Sequence, residues 1–241
     1  PEDGCKWGCF DYSQQEPRLV VHYAALYKLP SVYDVVDAYE TDSNSDFHQT
    51  VADMADIPRS QAKTINLGLF YGMGKNKLQA ELGVSKLQAD DLFKQYHTKV
   101  PFVKQLMDAV MSRAQRKGKV RTLLGRLCRF HLWEPNQFGI HKPLPHDDAL
   151  AEHGPGIRRA YTYKALNRLI QGSAADMTKK AMIDLHAEGI IPHLQVHDEL
   201  DISIQNKKEA EKIKDIMEST VSLEVPNKVD YEEGDNWGSI K

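Results

Sequence analysis

The sequence predicts an α+β fold: an antiparallel sheet backed by helices, with a mostly helical lobe inserted over about residues 30–120. Three observations predict it. A short apolar strand pattern opens the chain at Trp7–Ser13. A succession of helix patterns follows. Two alternating hairpin patterns come late, at Lys119–Phe130 and His193–Ile204. The order is strand, many helices, hairpin, helix, hairpin, helix, which is not the regular alternation of a parallel α/β sheet.

Each element has a local reason. "WGCFDYS" reads as a short buried strand, and Pro17 suits the first turn of the next helix, which runs through Arg18–Leu26. Asp46–Ala55 is a short amphipathic helix with Asp46 near its N-terminus. Pro58 opens a helix over Arg59–Gly72. Ser85 caps "KLQADDLFKQYHTKV", and Pro101 starts a helix that Gly118 ends. Gly125 sits in the middle of the first hairpin. His131–Gly156 has no clear period and is expected to be a long loop or insertion. A long helix is expected from about Arg158 through His186. The second hairpin, a helix over Lys207–Ser222 and a short polar tail ending "GDNWGSIK" complete the chain.

Bulk composition narrows the function classes. The 241 residues are 41% hydrophobic and 27% charged, as in an ordinary globular protein of one large or two modest domains. No run of 18 apolar residues exists, which excludes a transmembrane helix. Pro1–Gly4 shows neither the basic region nor the apolar stretch of a signal peptide, and there is no initiator Met. The expectation is a processed or trimmed chain, or part of a longer one. Cys5, Cys9 and Cys128 form no framework spacing and fit reduced thiols in a cytosol-like compartment. Cys5 and Cys9 lack a second Cys/His pair at zinc-site spacing.

The net charge of −3 hides an asymmetry. Residues 1–58 carry 3 Lys/Arg against 11 Asp/Glu, whereas residues 59–130 carry 15 against 4. A basic segment of that size is a track for a polyanion or a set of solvated helix faces.

Three stretches carry chemistry. "DYSQQEPR" (Asp11–Arg18) ends an apolar strand in a carboxylate followed by polar groups. In "RSQAKTINLGLFYG", Arg59, Lys63, Leu67 and Tyr71 recur every four residues. Each step drifts only about 40° around a helix, so the four form one winding stripe of two cations and an aromatic. Such a stripe suits phosphate at one end and a flat group at the other, or is a surface helix with incidental charges. The third stretch is His197-Asp198-Glu199, three titratable residues at the tip of an apolar hairpin. "GMGK" at 72–75 lacks the first Gly and the final Ser/Thr of a phosphate-binding loop and is set aside.

Together and in this order, the three stretches resemble motifs A, B and C of the family A DNA polymerases. "QGSAAD" (Gln171–Asp176) and the closing "GDNW" resemble further segments of that family. The resemblance spans nearly the whole chain. It implies an antiparallel palm sheet made from residues 1–29 and 121–241, and an inserted helical fingers subdomain at 30–120. It also implies a thumb and an exonuclease outside this sequence, supplied by upstream chain or by a partner polypeptide.

The implied reaction is template-directed addition of deoxynucleotides to a primer 3′-hydroxyl, with release of pyrophosphate. The implied cofactors are two Mg²⁺ ions, about 3.5–4 Å apart, held by Asp11, Asp198 and the Tyr12 carbonyl. The implied partners are primer-template DNA and deoxynucleoside triphosphates, with no membrane. The implied setting is the cytoplasm of a bacterium or phage-infected cell, or an organelle. By the same resemblance, Arg59, Lys63 and His48 grip phosphates, and Lys63 protonates the leaving pyrophosphate. Tyr71 and Leu67 meet the nascent pair. Gln14 and Glu16 line the sugar pocket, with Glu16 beside Tyr71 excluding a 2′-hydroxyl. Asn167 and Gln171 contact template and primer in the minor groove. His197 touches the primer terminus, with Glu199 near the metals.

This chain departs from the pattern at Leu67, where the family usually has Phe or Tyr. Gln15 and Pro17 stand at usually aliphatic positions, and Tyr163 where many members have Arg. Two rival readings are a non-catalytic nucleic-acid-binding module and a single-subunit RNA polymerase. Glu16 with Tyr71 speaks against the second. His131, His141, His146 and His153 in the 131–156 segment form either a metal site or, favoured for loops, a solvent-exposed insertion near DNA. Asp201, just past the hairpin tip, is expected to face solvent or to assist the metals.

Overall fold

The computed structural model describes residues 1–73, 75–137 and 139–240, so Gly74 of the 72–75 motif and Phe138 of the 131–156 segment lie outside the described residues. The chain opens with β1 (Lys6–Tyr12) and α1 (Gln15–Leu26). Six helices follow: α2 (Tyr33–Thr41), α3 (Phe47–Ala55), α4 (Arg59–Phe70), α5 (Lys75–Leu82), α6 (Lys86–Lys99) and α7 (Pro101–Lys117). Next come β2 (Lys119–Arg121), β3 (Leu127–Arg129), β4 (Trp133–Pro135), α8 (His146–His153) and β5 (Ile157–Arg159). The rest is α9 (Ala165–Ala187), β6 (Leu194–Val196), β7 (Glu199–Ile204), α10 (Lys207–Ser219) and β8 (Val229–Gly234).

The main sheet has the order β6-β7-β1-β8, antiparallel throughout. One face is apolar. Phe10, Tyr12, Leu200, Ile202, Ile204 and Val229 are buried there, α10 packs against β7 and β8, and α9 packs against α10, α1 and α7. The other face carries Trp7, Cys9 and Asp11 beside Ser203, Asp201 and Glu199. Alternation along the strands separates the two sets. One buried cluster continues from Phe10 and Leu19 through Phe47, Phe70 and Phe102. The buried cluster of the inserted helices is thus continuous with that behind the sheet.

The signals at helix ends act as expected. The Asp46 side chain accepts from Gln49 N at the start of α3, Ser85 and Gln88 form a capping box on α6, and Gly118 ends α7 at φ 65°. A side chain at Gly118 would also strike the Arg159 guanidinium, at 2.7 Å. Gly72 closes α4 at φ 67°, and a Cβ there would lie 2.6 Å from the Tyr163 carbonyl oxygen. Only glycine fits both demands.

Three expectations need correction. The 131–156 segment is not one loop: it contains β4 and α8, and β4 pairs with β5. The long helix begins at Ala165, because Ile157–Arg159 is strand β5 and Thr162–Lys164 a single 3₁₀ turn. Arg159 is held outside the helix by its own bonds: its guanidinium donates to the Gln115 and Phe130 carbonyls at 3.1 and 2.9 Å and lies 4.4 Å over the Trp133 ring. Asp201 does not face solvent. It is 0% exposed, with Trp7 Nε1 and Cys9 Sγ on its Oδ1.

Arg18 locks the turn after β1. It is 2% exposed, and its guanidinium donates to the carbonyls of Ser13, Ser43 and Pro226 at 2.8, 2.6 and 2.6 Å. It also lies 4.4 Å over the Tyr39 ring. Arg18→Met would keep the length and strand three carbonyls. The expected loss is about 3 kcal/mol or more by chemical denaturation, since each buried unpaired group costs about 1–3 kcal/mol; a loss below about 1 kcal/mol would contradict this account of the turn.

Candidate active site

Asp11 is the penultimate residue of β1 and is flanked on both sides by acids: its register partners are Glu199 on β7 and Asp230 on β8. Asp198 sits in the two-residue turn between β6 and β7, closed by the Val196–Glu199 pair. The two sequence-distant carboxyls come within hydrogen-bond reach of each other. His197, the other turn residue, takes a left-handed φ of 60°, a conformation that costs a non-glycine residue about 1 kcal/mol or more. Its Nδ1 lies 2.8 Å from Asp198 Oδ1, and this contact raises the imidazole above its usual range.

Electrostatics at this corner is dominated by like charge. The Asp11 side chain keeps an exposed face, yet the surrounding protein strips enough hydration to begin raising its carboxyl. Asp198, Glu199 and Asp230 add repulsion, and the carboxyl is pushed up to about 7. Tyr12 turns its ring to the opposite face, where its hydroxyl donates to the Met217 carbonyl at 2.7 Å. Only its backbone is left for the acidic corner.

A second group gathers on α3 and α4. Arg59 pairs with Asp46 Oδ2 at 2.5 Å, and Lys63 is exposed one turn later. His48 is buried, and desolvation, with Arg59 and Lys63 opposing protonation, lowers it to about 4. Its Nδ1 is 3.1 Å from Asn66 Nδ2. The buried Tyr96 hydroxyl donates to the other amide atom, Asn66 Oδ1. That leaves the Asn66 NH₂ to donate to His48, so the neutral imidazole accepts at Nδ1 and carries its proton on Nε2. His48 is thus a fixed neutral donor beside two cations.

A third group joins α1, α4 and α9. The Tyr71 hydroxyl donates to Glu16 Oε2 at 3.0 Å, and the Gln171 side chain lies near that hydroxyl. Glu16, Gln171, Lys179, Gln195 and His197 line a cleft of about 260 Å³. Asn167 lies half-buried one turn before Gln171, and Leu67 packs half-buried against the core. Gln14 does not open onto the cleft. Its amide donates to the Ser45 carbonyl at 3.0 Å and accepts from Phe47 N and the Tyr39 hydroxyl at 2.9 and 3.2 Å. The histidines of 131–156 join no group of three convergent metal-ligand atoms among the described residues.

Sequence reasoning missed Arg18, Asn66, Tyr96 and Asp230 as parts of this arrangement. Asn66 left a signal: a polar amide inside the apolar run "TINLGLF", 0% exposed in the fold. The other three become visible only when distant elements meet.

The sheet, with acids at one strand end and at a facing hairpin tip, matches that of a polymerase domain. The solved structure described as "POL domain of Pol1 from M. smegmatis complex with DNA primer-template and dNTP" matches with a TM-score of 0.76 and 26% identity, over 99% of this chain and 41% of that one. The model of DNA polymerase family A matches residues 1–239, and the chain belongs to that family. Relatives include a DNA-directed DNA polymerase of Pseudomonas phage M6, 37% identical over 99% of this chain and 39% of the phage protein. DNA polymerase I of Geobacillus stearothermophilus is 34% identical over 96% of this chain and 26% of its own length. The chain thus spans well under half the length of these relatives.

Two outcomes follow from the charges. Asp11 has a raised folded-state pKa, so its protonated form adds stability below about pH 3.8, and that stability is lost as pH rises through about 7. In metal-free protein, Asp11→Asn should therefore raise the denaturation midpoint at pH 8 and leave it unchanged at pH 4. The gain should be on the order of 1 kcal/mol, because the partly solvated side chain is screened. For His48 the sign is opposite: its neutral form supports the fold above pH 6.5, and that support is lost as pH falls toward about 4. Tyr96→Phe should cost about 1–3 kcal/mol by leaving Asn66 Oδ1 unpaired, and should release His48 from a single tautomer in imidazole ¹⁵N spectra. An unchanged tautomer would refute the relay.

Proposed function

We propose that the chain is the catalytic core of a template-directed DNA polymerase, which adds deoxynucleotides to a primer 3′-hydroxyl by nucleotidyl transfer with release of pyrophosphate. The observation that carries this reading is the meeting of Asp11 and Asp198, two carboxyls 187 residues apart in sequence, on the open face of one sheet. Family membership supports it, as does a solved neighbour described in complex with DNA primer-template and dNTP. In this reading residues 1–29 and 121–241 act as palm and 30–120 as fingers. A thumb, from upstream chain or a partner polypeptide, would help to hold the DNA.

Asp11, Asp198 and the Tyr12 carbonyl would hold two Mg²⁺ ions. The fit rests on the donor set, which is all oxygen, and on the charge: the groups that raise Asp11 are all carboxylates, a cluster short of positive charge. When bound, such ions supply Lewis-acid activation of the attacking hydroxyl and neutralise charge on the departing pyrophosphate.

The remaining work falls to the chain's own residues. Arg59 and Lys63 bind the β- and γ-phosphates, and the Lys63 ammonium gives a proton to the leaving pyrophosphate oxygen. The His48 Nε2–H donates to a phosphate without adding charge. Tyr71, tethered to Glu16 and near Gln171, stacks against the nascent pair, and the Glu16–Tyr71 contact closes the space that a 2′-hydroxyl needs. Leu67 fills the position beside the sugar. Asn167 and Gln171 donate to minor-groove acceptors common to all base pairs, which checks pair shape without reading sequence. His197 steadies the primer end, with Glu199 beside the acidic pair. Gln14 acts indirectly, holding α3 in place. The 15 Lys/Arg of residues 59–130 supply the field for the DNA backbone. Among the described residues no helix is long and apolar enough to cross a membrane.

Primer extension tests the reading. Asp11→Ala or Asp198→Ala should reduce nucleotide addition by at least about 10³-fold, consistent with loss of several kcal/mol of transition-state stabilisation, while primer-template binding stays within about threefold. Lys63→Ala should lower kcat more than it raises the nucleotide KM. Binding of primer-template without extension by the unmodified chain, even with an added thumb polypeptide, would favour a binding module. Preference for ribonucleotides would favour an RNA polymerase.

A further inference from the structure

We propose that Cys9, Asp201 and Glu199 form a second, thiolate-containing cation site on the same sheet face, suited to Zn²⁺ or Cd²⁺ rather than Mg²⁺. The starting observation is an orphaned charge-bearing atom. Asp201 is 0% exposed. Its Oδ1 accepts from Trp7 Nε1 at 3.0 Å and from Cys9 Sγ at 2.8 Å, but its Oδ2 is buried with no hydrogen-bond partner. A buried carboxylate oxygen without a partner is costly to keep unless something cationic or protic sits against it. Around this carboxylate, one ligand atom each from Cys9, Glu199 and Asp201 lie within 4.8 Å of one another. A tetrahedral ion with bonds of about 2.0–2.3 Å needs its ligand atoms about 3.3–3.8 Å apart, so small side-chain rotations close the set.

The backbone beneath is rigid. Cys9 and Asp201 are direct register partners on β1 and β7, and the next pair on the same face is Asp11 with Glu199. Two hydrogen-bonded strands therefore fix all three ligands. The chemistry selects the ion, because a thiolate favours Zn²⁺ or Cd²⁺ while Mg²⁺ seeks oxygen ligands only. On binding, the Cys9 S–H bond breaks and its proton leaves to solvent. The thiolate and the orphan Asp201 oxygen bond to the ion, Glu199 gives a third ligand, and water takes the fourth position. Trp7 Nε1–H stays on Asp201 Oδ1. The site stands on these contacts and does not need the polymerase reading; Glu199 is the one residue that both share.

The test titrates the metal-free chain with Cd²⁺ and reads the ultraviolet thiolate-to-cadmium charge-transfer band. One equivalent should saturate the band, and Mg²⁺ in large excess should not displace it. The band should vanish in Cys9→Ala, which removes only a sulfur. It should persist in a Cys5→Ala, Cys128→Ala double variant. Asp201→Asn, with folding checked by Trp fluorescence, should weaken Cd²⁺ binding about tenfold or more. No band in the unmodified chain, a band that survives Cys9→Ala, or full affinity in a folded Asp201→Asn would each overturn the site.

Discussion

The in-register antiparallel pairing of β1 with β7 is the constraint on which the rest depends. Side chains alternate across a strand, so slipping this pairing by one residue would turn one strand's polar set to the apolar face. With β1 turned, Asp11 would enter the apolar face and Phe10 leave it; with β7 turned, Glu199 and Asp201 would enter it and Leu200 leave it. The buried apolar set pins the register: Phe10, Leu200, Ile202 and Ile204 are all within 2% of fully buried. Core packing on one face thereby sets the spacing of carboxylates on the other. The acidic corner is a cost that the hydrophobic face carries, and the raised Asp11 shows that the cost is real.

The α3–α4 pair is held in a different way. Arg59 rests against Asp46, the residue that also caps α3. An ion pair this exposed is worth about 0–1 kcal/mol, so the Arg59 guanidinium can leave the carboxylate at little cost. His48 answers the opposite need. Its neutral state is enforced by burial and by two neighbouring cations, and its tautomer by a buried chain from Tyr96 through Asn66. One group is exchangeable and the other is fixed, and both are anchored at the junction of α3 and α4.

Much of this was legible in the sequence, and most of the exceptions share a cause, although α2 was missed while burying Val35, Val36 and Tyr39. Helices with punctuation were readable: Asp46, Ser85 and Gly118 act as the spacing implied. Helices without an apolar stripe were not. α5 buries Leu78 alone and α8 buries Ala149 alone, so neither shows a period. β4 and β5 span three residues each, too few for alternation to register. β8 is rich in acids, "VDYEEG", yet it pairs along β1 because a sheet edge tolerates polar residues. Asp11, Asp198 and the α4 stripe were visible because each sits in its own short motif-like stretch; the meeting of the two acids was not visible from spacing. The Tyr96–Asn66–His48 chain was not, because its members come from α6, α4 and α3.

Gln14 shows why a motif read as chemistry can first be architecture. It takes a left-handed φ of 52° directly before α1, and its amide is fully engaged by Tyr39, Ser45 and Phe47. Those partners belong to α2, the following loop and the first residue of α3. Arg18, one turn on, reaches the Ser43 carbonyl in the same loop. The segment that carries the β1 carboxylate thus also fixes the start of α3, and with it Asp46 and His48. The acidic corner and the α3–α4 pair are joined by part-buried polar bonds whose loss leaves unsatisfied groups, a stiffer coupling than apolar packing alone would give. Residues between Asp11 and Arg18 are accordingly constrained twice, once by the acidic corner they border and once by the helices they hold.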